Sequence, residues 1–493
     1  MAQLLPEAAP SALGVDAKGV IALVDALEAD DHDPHSLVLA RHGQVAARGW
    51  WAPYAHDRVQ LVYSLSKSFT ATAVGLLVDE GRLSLDDRVF DVIPATEVPA
   101  GATVSERYRR LTLGHCLTMA TGHDTDAWTE GANAAALKSA AGTEDPVLAA
   151  VLAAQPEQEP GTAWAYNQVA TYLVGAVVRA TTGGSLLDLL RPRLLAALDP
   201  DAAGAARWHL TATSRELAFS GIHIGTDAIL GLAQTYLDRG RWQGSQLLSE
   251  QWVATASTPT GLPNREPDAN PDWRHGYGCS FWGASHGYRG DGAFGQFAIV
   301  LPEQDVALAV TSETTDMQAV LDLVWEHLLP ALDRPGDPRA DAELSDRMAR
   351  LQVPTPSSTA PGPRAATWVR SADSELPQRY AAGRLSDATG GGGWVLDLDV
   401  DGTSVPLSVG DGHWRESLLF VDDVVLPVAA AGGWDAAGEF RADLRLVETP
   451  HRVQLHGRTD GSMRLTWRET PLHGTDPATL AVRARDDLPD KPR

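Results

Sequence analysis

A serine and a lysine three residues apart, Ser64 and Lys67, carry the clearest chemical signal in the sequence. They stand where a strand-like run at 61–63 gives way to a helical pattern. Residues i and i+3 of a helix share a face, so the lysine amine would lie beside the serine hydroxyl. The positive end of the helix dipole would favour the serine alkoxide, and an amine with a lowered pKa could accept its proton. This chemistry would make Ser64 a nucleophile.

A four-residue pattern also recurs by chance. Ser64 could instead be an ordinary helix N-cap, with Lys67 a solvated residue of the first turn. Lysine usage favours the chemical interpretation. Of the 40 basic residues only four are lysines, and a lysine, unlike an arginine, can lose its proton at a special position: Lys18, Lys67, Lys138 and Lys491.

The sequence around Ser64, YSLSKSFTATAVGLLVDEGRLSLDDRV, resembles the nucleophile helix of the β-lactamase-related serine hydrolases. That family includes class C β-lactamases, D-alanyl-D-alanine carboxypeptidases, family VIII esterases and amide hydrolases, and S-x-x-K is its nucleophile motif. The resemblance covers about 35–332, because further segments follow in the family's order: LTLGHCLTMATGH (111–123), PGTAWAYNQVATYLVGAVVRATTGG (160–184), SGIHIGTDAILGLAQTYLDRGRW (220–242) and GDGAFGQFAIVLPEQDVALAVTS (290–312).

The resemblance implies a second catalytic element, Tyr-x-Asn, in which the tyrosine moves protons and the asparagine binds substrate. The aligned triplet is Tyr166-Asn167-Gln168. Glutamine stands where asparagine is usual, unless Asn167 takes that part from the neighbouring position. A tyrosine near a lysine could act as general base, since positive charge lowers its pKa. The alternative is that Tyr166 is a buried tyrosine with a satisfied hydroxyl.

The family's third element, usually Lys-Thr-Gly on an edge strand, has no counterpart here. The segment 286–291, HGYRGD, occupies the region. We expect Arg289 to supply the cation that binds a substrate carboxylate or polarises the site, with His286 as second choice and Gly290 as a further substrate-binding position. His223 is a weaker candidate, and a packed or surface histidine is the alternative. Loss of the triplet argues against β-lactamase activity, and such replacement is common among the esterase-like members.

The elements that must position these residues are alternately strand-like and helical. Strand-like runs come both before and after a series of helical patterns. This order predicts an α+β domain in which an antiparallel sheet is flanked by helices. The resemblance implies the same fold. The strand-like runs are 36–51, 276–282, 294–301 and 305–312, and the helical ones 64–81, 147–155, 169–182, 226–239 and 317–332.

A second domain is predicted after a stretch rich in proline, serine and alanine at 353–366. Short alternating runs separated by Asp-Gly turns predict an all-β barrel or sandwich, which resembles the lipocalin-like domain of some relatives. The predicted organisation is a loose leader at 1–15, a catalytic domain at 16–345, a linker at 346–366, the β-domain at 367–486 and a tail at 487–493.

Composition excludes several classes of partner. The net charge of −24 argues against nucleic-acid binding. No apolar run is long enough to span a membrane, and the N-terminus lacks the pattern of a signal peptide, so we expect a cytoplasmic protein. Cys116 and Cys279 predict neither a disulfide framework nor a metal site. The G-x-G-x-x-G match at 290–295 leads into a strand-like run, which argues against a dinucleotide site.

The sequence thus predicts a serine hydrolase that forms an acyl-enzyme at Ser64, without cofactor or metal. Hydrolysis of small carboxylic esters is favoured. Amide or D-amino-acid peptide hydrolysis, or β-lactamase activity, is the alternative within the class. A catalytically silent scaffold that binds a partner is the alternative from another class, suggested by Gln168 and the missing third element. A small ester or amide is the expected partner, a homo-oligomer is possible, and the β-domain is expected to shape substrate access or assembly.

Overall fold

The first domain is built on an antiparallel sheet that joins the two ends of the segment 34–312. The computed structural model describes residues 5–128, 142–266, 269–388 and 391–482. The strands of this domain are β1 (Pro34–Arg41), β2 (Gln44–Trp50), β3 (Gln60–Leu61), β4 (Arg207–Trp208), β5 (Ile222–Ile224), β6 (Arg241–Trp242), β7 (Ser245–Gln246), β8 (Trp282–Gly283), β9 (Tyr288–Gly292), β10 (Gln296–Leu301) and β11 (Val306–Ser312). The main sheet has the order β2-β1-β11-β10-β9-β8. The strands from the two ends of the segment, β1 and β11, are antiparallel neighbours at the centre of this sheet.

Helices cover both faces of this sheet. Those that the structure describes are α1 (Ala17–Ala29), α2 (Ser66–Asp79), α3 (Val89–Val92), α4 (Glu106–Arg110), α5 (Leu113–Leu117), α6 (Pro146–Ala153), α7 (Gln168–Thr182), α8 (Leu186–Leu190), α9 (Ala196–Leu198), α10 (Thr226–Leu237), α11 (Glu250–Ser257), α12 (Met317–Leu323) and α13 (Pro338–Met348). No single helix among them is long and apolar enough to cross a membrane, and only the bent pair Gln168–Thr182 with Leu186–Leu198 meets that test jointly.

The two faces of the sheet carry side chains of different size. Successive strand residues point to opposite faces, so Val38 and Ala40 join the core around α2, whereas Leu37 and Leu39 join the core around α1. Strands β1, β10 and β11 are buried along their whole length, as expected for a sheet covered on both sides. The predicted α+β architecture is confirmed.

Helix α2 runs through the interior and is buried from Ser66 to Leu77. Its short polar side chains therefore need partners inside the protein. Ser68 Oγ donates to the carbonyl oxygen of Ser280 at 2.7 Å, and Thr70 Oγ1 donates to that of Ala218 at 2.8 Å. These bonds fix the helix on two sides at the end where a 3₁₀ turn, Tyr63–Leu65, leads into it.

The second domain is a closed β-barrel, which confirms the predicted all-β class. Its strands are β12 (Ala365–Arg370), β13 (Tyr380–Asp387), β14 (Gly393–Val400), β15 (Thr403–Gly410), β16 (Arg415–Val421), β17 (Val424–Trp434), β18 (Phe440–Leu446), β19 (Arg452–Gly457) and β20 (Ser462–Trp467). The order is β15-β14-β13-β12-β20-β19-β18-β17-β16, and pairing of β15 with β17 closes eight of them into a ring. Apolar side chains fill the interior and leave a cavity of about 20 Å³, roughly the space of one water molecule.

Three predicted segments differ from the structure. Residues 5–15 are not loose, because Val45 N donates to Pro6 O at 2.8 Å and Val15 is fully buried. The strand expected at 276–282 is reduced to β8. The linker begins later than expected, since Val353 N still donates to Ala52 O of the first domain at 3.1 Å. The tail at 487–493 lies outside the described residues.

A buried ion pair connects the two domains. The guanidinium of Arg445 in β18 donates to both carboxylate oxygens of Asp33, which lies just before β1, at 2.9 and 3.0 Å. Burial by itself would raise the pKa of Asp33, but Arg445 holds that pKa well below its usual range. Glu313 lies close by and receives a hydrogen bond from Arg452 N at 3.2 Å. The barrel is thus fastened to the start of β1 by a buried ion pair.

Candidate active site

Ser64 and Lys67 meet at the start of α2, as the sequence predicts. Lys67 Nζ donates to Ser64 Oγ at 3.0 Å and to the carbonyl oxygen of Phe219 at 2.8 Å. Ser64 is partly exposed, whereas Lys67 is buried. Burial lowers the pKa of Lys67 to about 7, against the opposing charges of Asp126 and Asp291. An amine with that pKa is neutral in a large share of molecules at neutral pH and can accept the Ser64 proton.

Tyr166 lies on the other side of the lysine amine. Its ring centre is 4.8 Å from Lys67 Nζ, and its ring stacks on that of Trp282 with centres 5.3 Å apart. Its hydroxyl lies close enough to Ser64 for that side chain to act on the pKa of Tyr166. Burial, reinforced by Asp291, raises the pKa of Tyr166. The expectation that the lysine would lower this pKa is therefore wrong. Tyr166 is a protonated phenol at neutral pH, suited to passing a proton on rather than to acting as a phenolate base.

The two residues after Tyr166 have different roles. Asn167 is fully buried and is the N-cap of α7: its Oδ1 accepts from Val169 N at 3.0 Å, and its Nδ2 donates to Thr121 Oγ1 at 3.4 Å. It is not available to a substrate. Gln168 is partly exposed, its backbone N donates to Asp126 Oδ1 at 3.1 Å, and its Oε1 has no protein partner among the described residues. Of the two side chains, only that of Gln168 is partly exposed, although its Oε1 is itself buried.

Arg289 does not supply the expected cation. It is completely buried in β9, where its Nε donates to Asp291 Oδ2 at 3.0 Å and its Nη1 donates to Gly283 O at 2.9 Å. Its guanidinium also lies over the ring of Trp273 at 4.2 Å. The side chain is thus neutralised and enclosed by the protein. The proposed role of Arg289 in binding a substrate carboxylate is wrong.

The remaining candidates do not offer a side chain to Ser64. His286 is exposed at the turn between β8 and β9. A Cβ on Gly290 would lie 2.5 Å from Ser68 Oγ, so this glycine permits close packing of β9 on α2. His223 is buried in β5 behind the Ser64 turn, with its Nε2 3.1 Å from His209 Nε2. Gly290 and His223 thus have structural roles, whereas His286 lies on the surface.

Three residues of the site were missed by the sequence interpretation: Asp126, Asp291 and Phe219. The charge of Asp126 acts on both Lys67 and Tyr166. Asp291 is close enough for its charge to act on both Lys67 and Tyr166, so a carboxylate is found where a cation was expected. Strand alternation places it on the same face as Arg289 and could have revealed the pair. Phe219 contributes only its backbone carbonyl, for which a side-chain pattern contains no signal.

Comparison with known proteins agrees with this arrangement. The family model described as "Beta-lactamase" matches residues 25–332. Penicillin-binding protein 4 of Amycolatopsis lactamdurans is 28% identical over 314 residues, which are 57% of this chain and 77% of that protein.

Two solved structures are similar in fold. A candidate 6-aminohexanoate-dimer hydrolase from Bacillus anthracis superposes with a TM-score of 0.52 at 18% identity, over 66% of this chain and 86% of that one. A candidate beta-lactamase from Bacteroides dorei DSM 17855 gives 0.51 at 14% identity, over 64% and 99%. At these identities the likeness extends to the fold and no further.

Proposed function

This chain belongs to the beta-lactamase family of serine hydrolases, and on that premise we propose that it hydrolyses esters of small carboxylic acids through an acyl-enzyme at Ser64. One observation carries the proposal. The 3.0 Å contact between Ser64 Oγ and Lys67 Nζ joins a partly exposed hydroxyl to a buried amine whose pKa is about 7. A hydroxyl becomes a useful nucleophile at neutral pH when a base of matched pKa lies within hydrogen-bond reach.

In the proposed acylation step, neutral Lys67 takes the proton of the Ser64 hydroxyl while Oγ bonds to the ester carbonyl carbon. The tetrahedral oxyanion is stabilised by backbone N–H groups. Its collapse breaks the bond to the alcohol oxygen. Tyr166 gives its phenolic proton to that oxygen and receives the proton held by Lys67, so the alcohol leaves neutral and both side chains return to their starting states.

Deacylation repeats the same proton transfers with water. Lys67 takes a proton from a water molecule, whose oxygen bonds to the acyl carbon. The bond to Ser64 Oγ then breaks, and the serine recovers its proton through Tyr166 and Lys67. The products are a carboxylic acid and free enzyme. No step requires a cofactor.

The charges around Ser64 support uncharged esters over substrates that carry a carboxylate. The edge-strand segment 286–291 contributes Asp291 to the surroundings of Lys67 and Tyr166, and its one arginine, Arg289, is buried in a pair with that carboxylate. A substrate carboxylate would therefore meet Asp291 without being offered the guanidinium of Arg289. The name of the Amycolatopsis relative keeps penicillin binding as the second candidate function.

The decisive test is hydrolysis of p-nitrophenyl acetate and butyrate, with nitrocefin measured in parallel, by the wild type and by Ser64→Ala. We expect the wild type to cleave both esters, the variant to be inert, and nitrocefin to be a poor substrate. Rapid turnover of nitrocefin would favour a β-lactamase. Equal inertness of both proteins, together with failure of a fluorophosphonate probe to label Ser64, would favour a silent scaffold.

A further inference from the structure

We propose that the C-terminal barrel completes the active site, with His473 as a positioning residue for Lys67 and for the Ser64 turn. This inference rests on the proposed function, since it concerns the same nucleophile. The barrel interior is too well packed to bind a ligand. The inference instead gives the barrel domain a role in positioning catalytic residues.

His473 reaches the site from the segment that follows β20. Its Nε2 lies 3.0 Å from Ser220 Oγ. Ser220 directly follows Phe219, whose carbonyl oxygen accepts the 2.8 Å hydrogen bond from Lys67 Nζ. A shift of His473 would therefore move the carbonyl that orients the lysine amine. Catalytic rates are sensitive to such displacements, and about 1 Å can cost about 100-fold.

The same histidine contacts the residue that precedes the nucleophile. Its ring stacks on the ring of Tyr63, with centres 5.4 Å apart and planes at 18°. Tyr63 has a φ of 46°, in the left-handed region that a residue with a side chain adopts only at an energetic cost. Such a conformation persists only where the surroundings impose it.

The second contact that holds Tyr63 also comes from the barrel. His451 Nδ1 donates to the carbonyl oxygen of Glu469 at 3.0 Å, which leaves its Nε2 as an acceptor. The hydroxyl of Tyr63 donates to that Nε2 at 2.5 Å. The second domain thus provides both contacts that hold Tyr63: the ring stack from His473 and the hydrogen bond to His451.

The attachment of the barrel does not depend on His473. The buried pair of Arg445 and Asp33 and the backbone bond from Leu61 N to Glu448 O, at 2.9 Å, hold the domains together independently. Burial and the nearby charge of Lys67 lower the pKa of His473 to about 4, so it is neutral at neutral pH. His473 therefore acts through its ring stack on Tyr63 and its hydrogen bond with Ser220, and does not add a positive charge beside Lys67.

The test compares His473→Ala and His473→Gln with His456→Ala in the full-length protein. A glutamine amide can keep the contact with Ser220 Oγ. His456 is a matched control, because it is a partly buried barrel histidine that binds Glu439 instead, at 2.6 Å. We expect kcat for p-nitrophenyl butyrate to fall about 10-fold to 100-fold in His473→Ala, with little change in KM. It should recover in part in His473→Gln, which keeps the contact with Ser220 but not the ring stack on Tyr63. The control should keep the wild-type kcat.

Melting temperatures separate positioning from loss of fold. A wild-type kcat in His473→Ala would overturn the inference, as would a loss that His473→Gln does not restore even in part although it is folded. If His473→Ala fails to fold, Ser220→Ala interrupts the same contact and should lower kcat. If the wild type cleaves no ester, the ester proposal fails alone, and the rate of Ser64 labelling by a fluorophosphonate replaces kcat. Absence of labelling in the wild type would overturn both proposals.

Discussion

Lys67 Nζ donates a 2.8 Å hydrogen bond to the carbonyl oxygen of Phe219, so a segment outside α2 sets the direction of the amine. A neutral amine has two N–H groups and one lone pair. With one N–H directed at Phe219, the lone pair can face Ser64 Oγ, 3.0 Å away. This geometry orients the lysine amine to accept the serine proton. The rate should therefore depend on the fraction of Lys67 that is neutral, and so on pH.

The plot of kcat/KM against pH should have an acid limb near pH 7. Lys67 must be neutral to accept the proton, and its pKa is about 7, so activity is present above that pH and lost as pH falls through it. Lys67→Arg should be inert at every pH because a guanidinium stays charged. Lys18→Arg, at an exposed position of α1, is the control. An acid limb in the ordinary carboxyl range would contradict the assignment.

Tyr166→Phe should lower kcat about 10²-fold to 10⁴-fold, the usual contribution of one proton-transfer group. The acid limb should stay where it is, because Lys67 sets it and Tyr166 remains protonated throughout. The comparison is Tyr172→Phe, which removes another buried hydroxyl, one that donates to Asp145 at 2.8 Å. A shift of the acid limb in Tyr166→Phe alone would instead assign the base to the tyrosine.

Asp291→Asn should move the acid limb to lower pH. The charge of Asp291 raises the pKa of Lys67, so its removal lets burial lower that pKa further. The same variant should improve the rate for nitrocefin relative to p-nitrophenyl butyrate, because nitrocefin carries a carboxylate. Asp305→Asn, at an exposed turn, should change neither quantity. An unchanged acid limb would show that Asp291 is too well screened to act on Lys67.

Gly290→Ala should slow ester hydrolysis and destabilise the first domain by about 1–3 kcal/mol, the usual cost of overpacking. The added methyl would meet Ser68 Oγ at 2.5 Å and a methyl group of Leu65 at 2.6 Å, and so would push β9 away from the start of α2. Gly204→Ala, where a Cβ meets no atom within 4 Å, is the matched control. Urea denaturation and kcat measure the two effects, and wild-type values for both would refute the close packing.

Asp33→Ala should destabilise the protein by about 3–5 kcal/mol, because it leaves the buried charge of Arg445 without its partner. The pair is almost completely enclosed, with side-chain exposures of 3% for Asp33 and 0% for Arg445. Arg384→Ala breaks an ion pair with Asp397 on the barrel surface and should cost less than about 1 kcal/mol. Denaturant titration measures the free energy of unfolding of both variants and so tests whether Asp33→Ala has the larger effect. Equal effects would mean that the interdomain pair adds no more than a surface pair.

The fold class and the contact between Ser64 and Lys67 could be predicted from the sequence because both depend on local spacing. Helical periodicity brings Ser64 and Lys67 together whatever surrounds them. The choice between Asn167 and Gln168 depended on where α7 begins, and the N-cap preference of asparagine was the available clue. For Arg289, alternation gives the face it shares with Asp291 but not the burial of that face, which only tertiary packing determines.

The contribution of the barrel to the site could not be predicted. His473 belongs to a different domain from Ser64 and lies in a loop after β20, where no periodic pattern constrains its position. The left-handed conformation of Tyr63 is equally hidden, since a tyrosine at that point resembles the last residue of a strand. Contacts between domains arise from the shapes of two finished surfaces, and a linear pattern does not encode them.

The pairing of β1 with β11 has a consequence for synthesis of the chain. Leu37 of β1 is paired with Val310 of β11. The β1–β2 hairpin is therefore synthesised long before the strand that pairs with its other edge. Folds dominated by such distant partners form slowly and expose unpaired strand edges in the meantime. We therefore expect recombinant yield to improve at low temperature and with chaperone co-expression, and truncation before Val306 to give aggregates rather than a smaller enzyme.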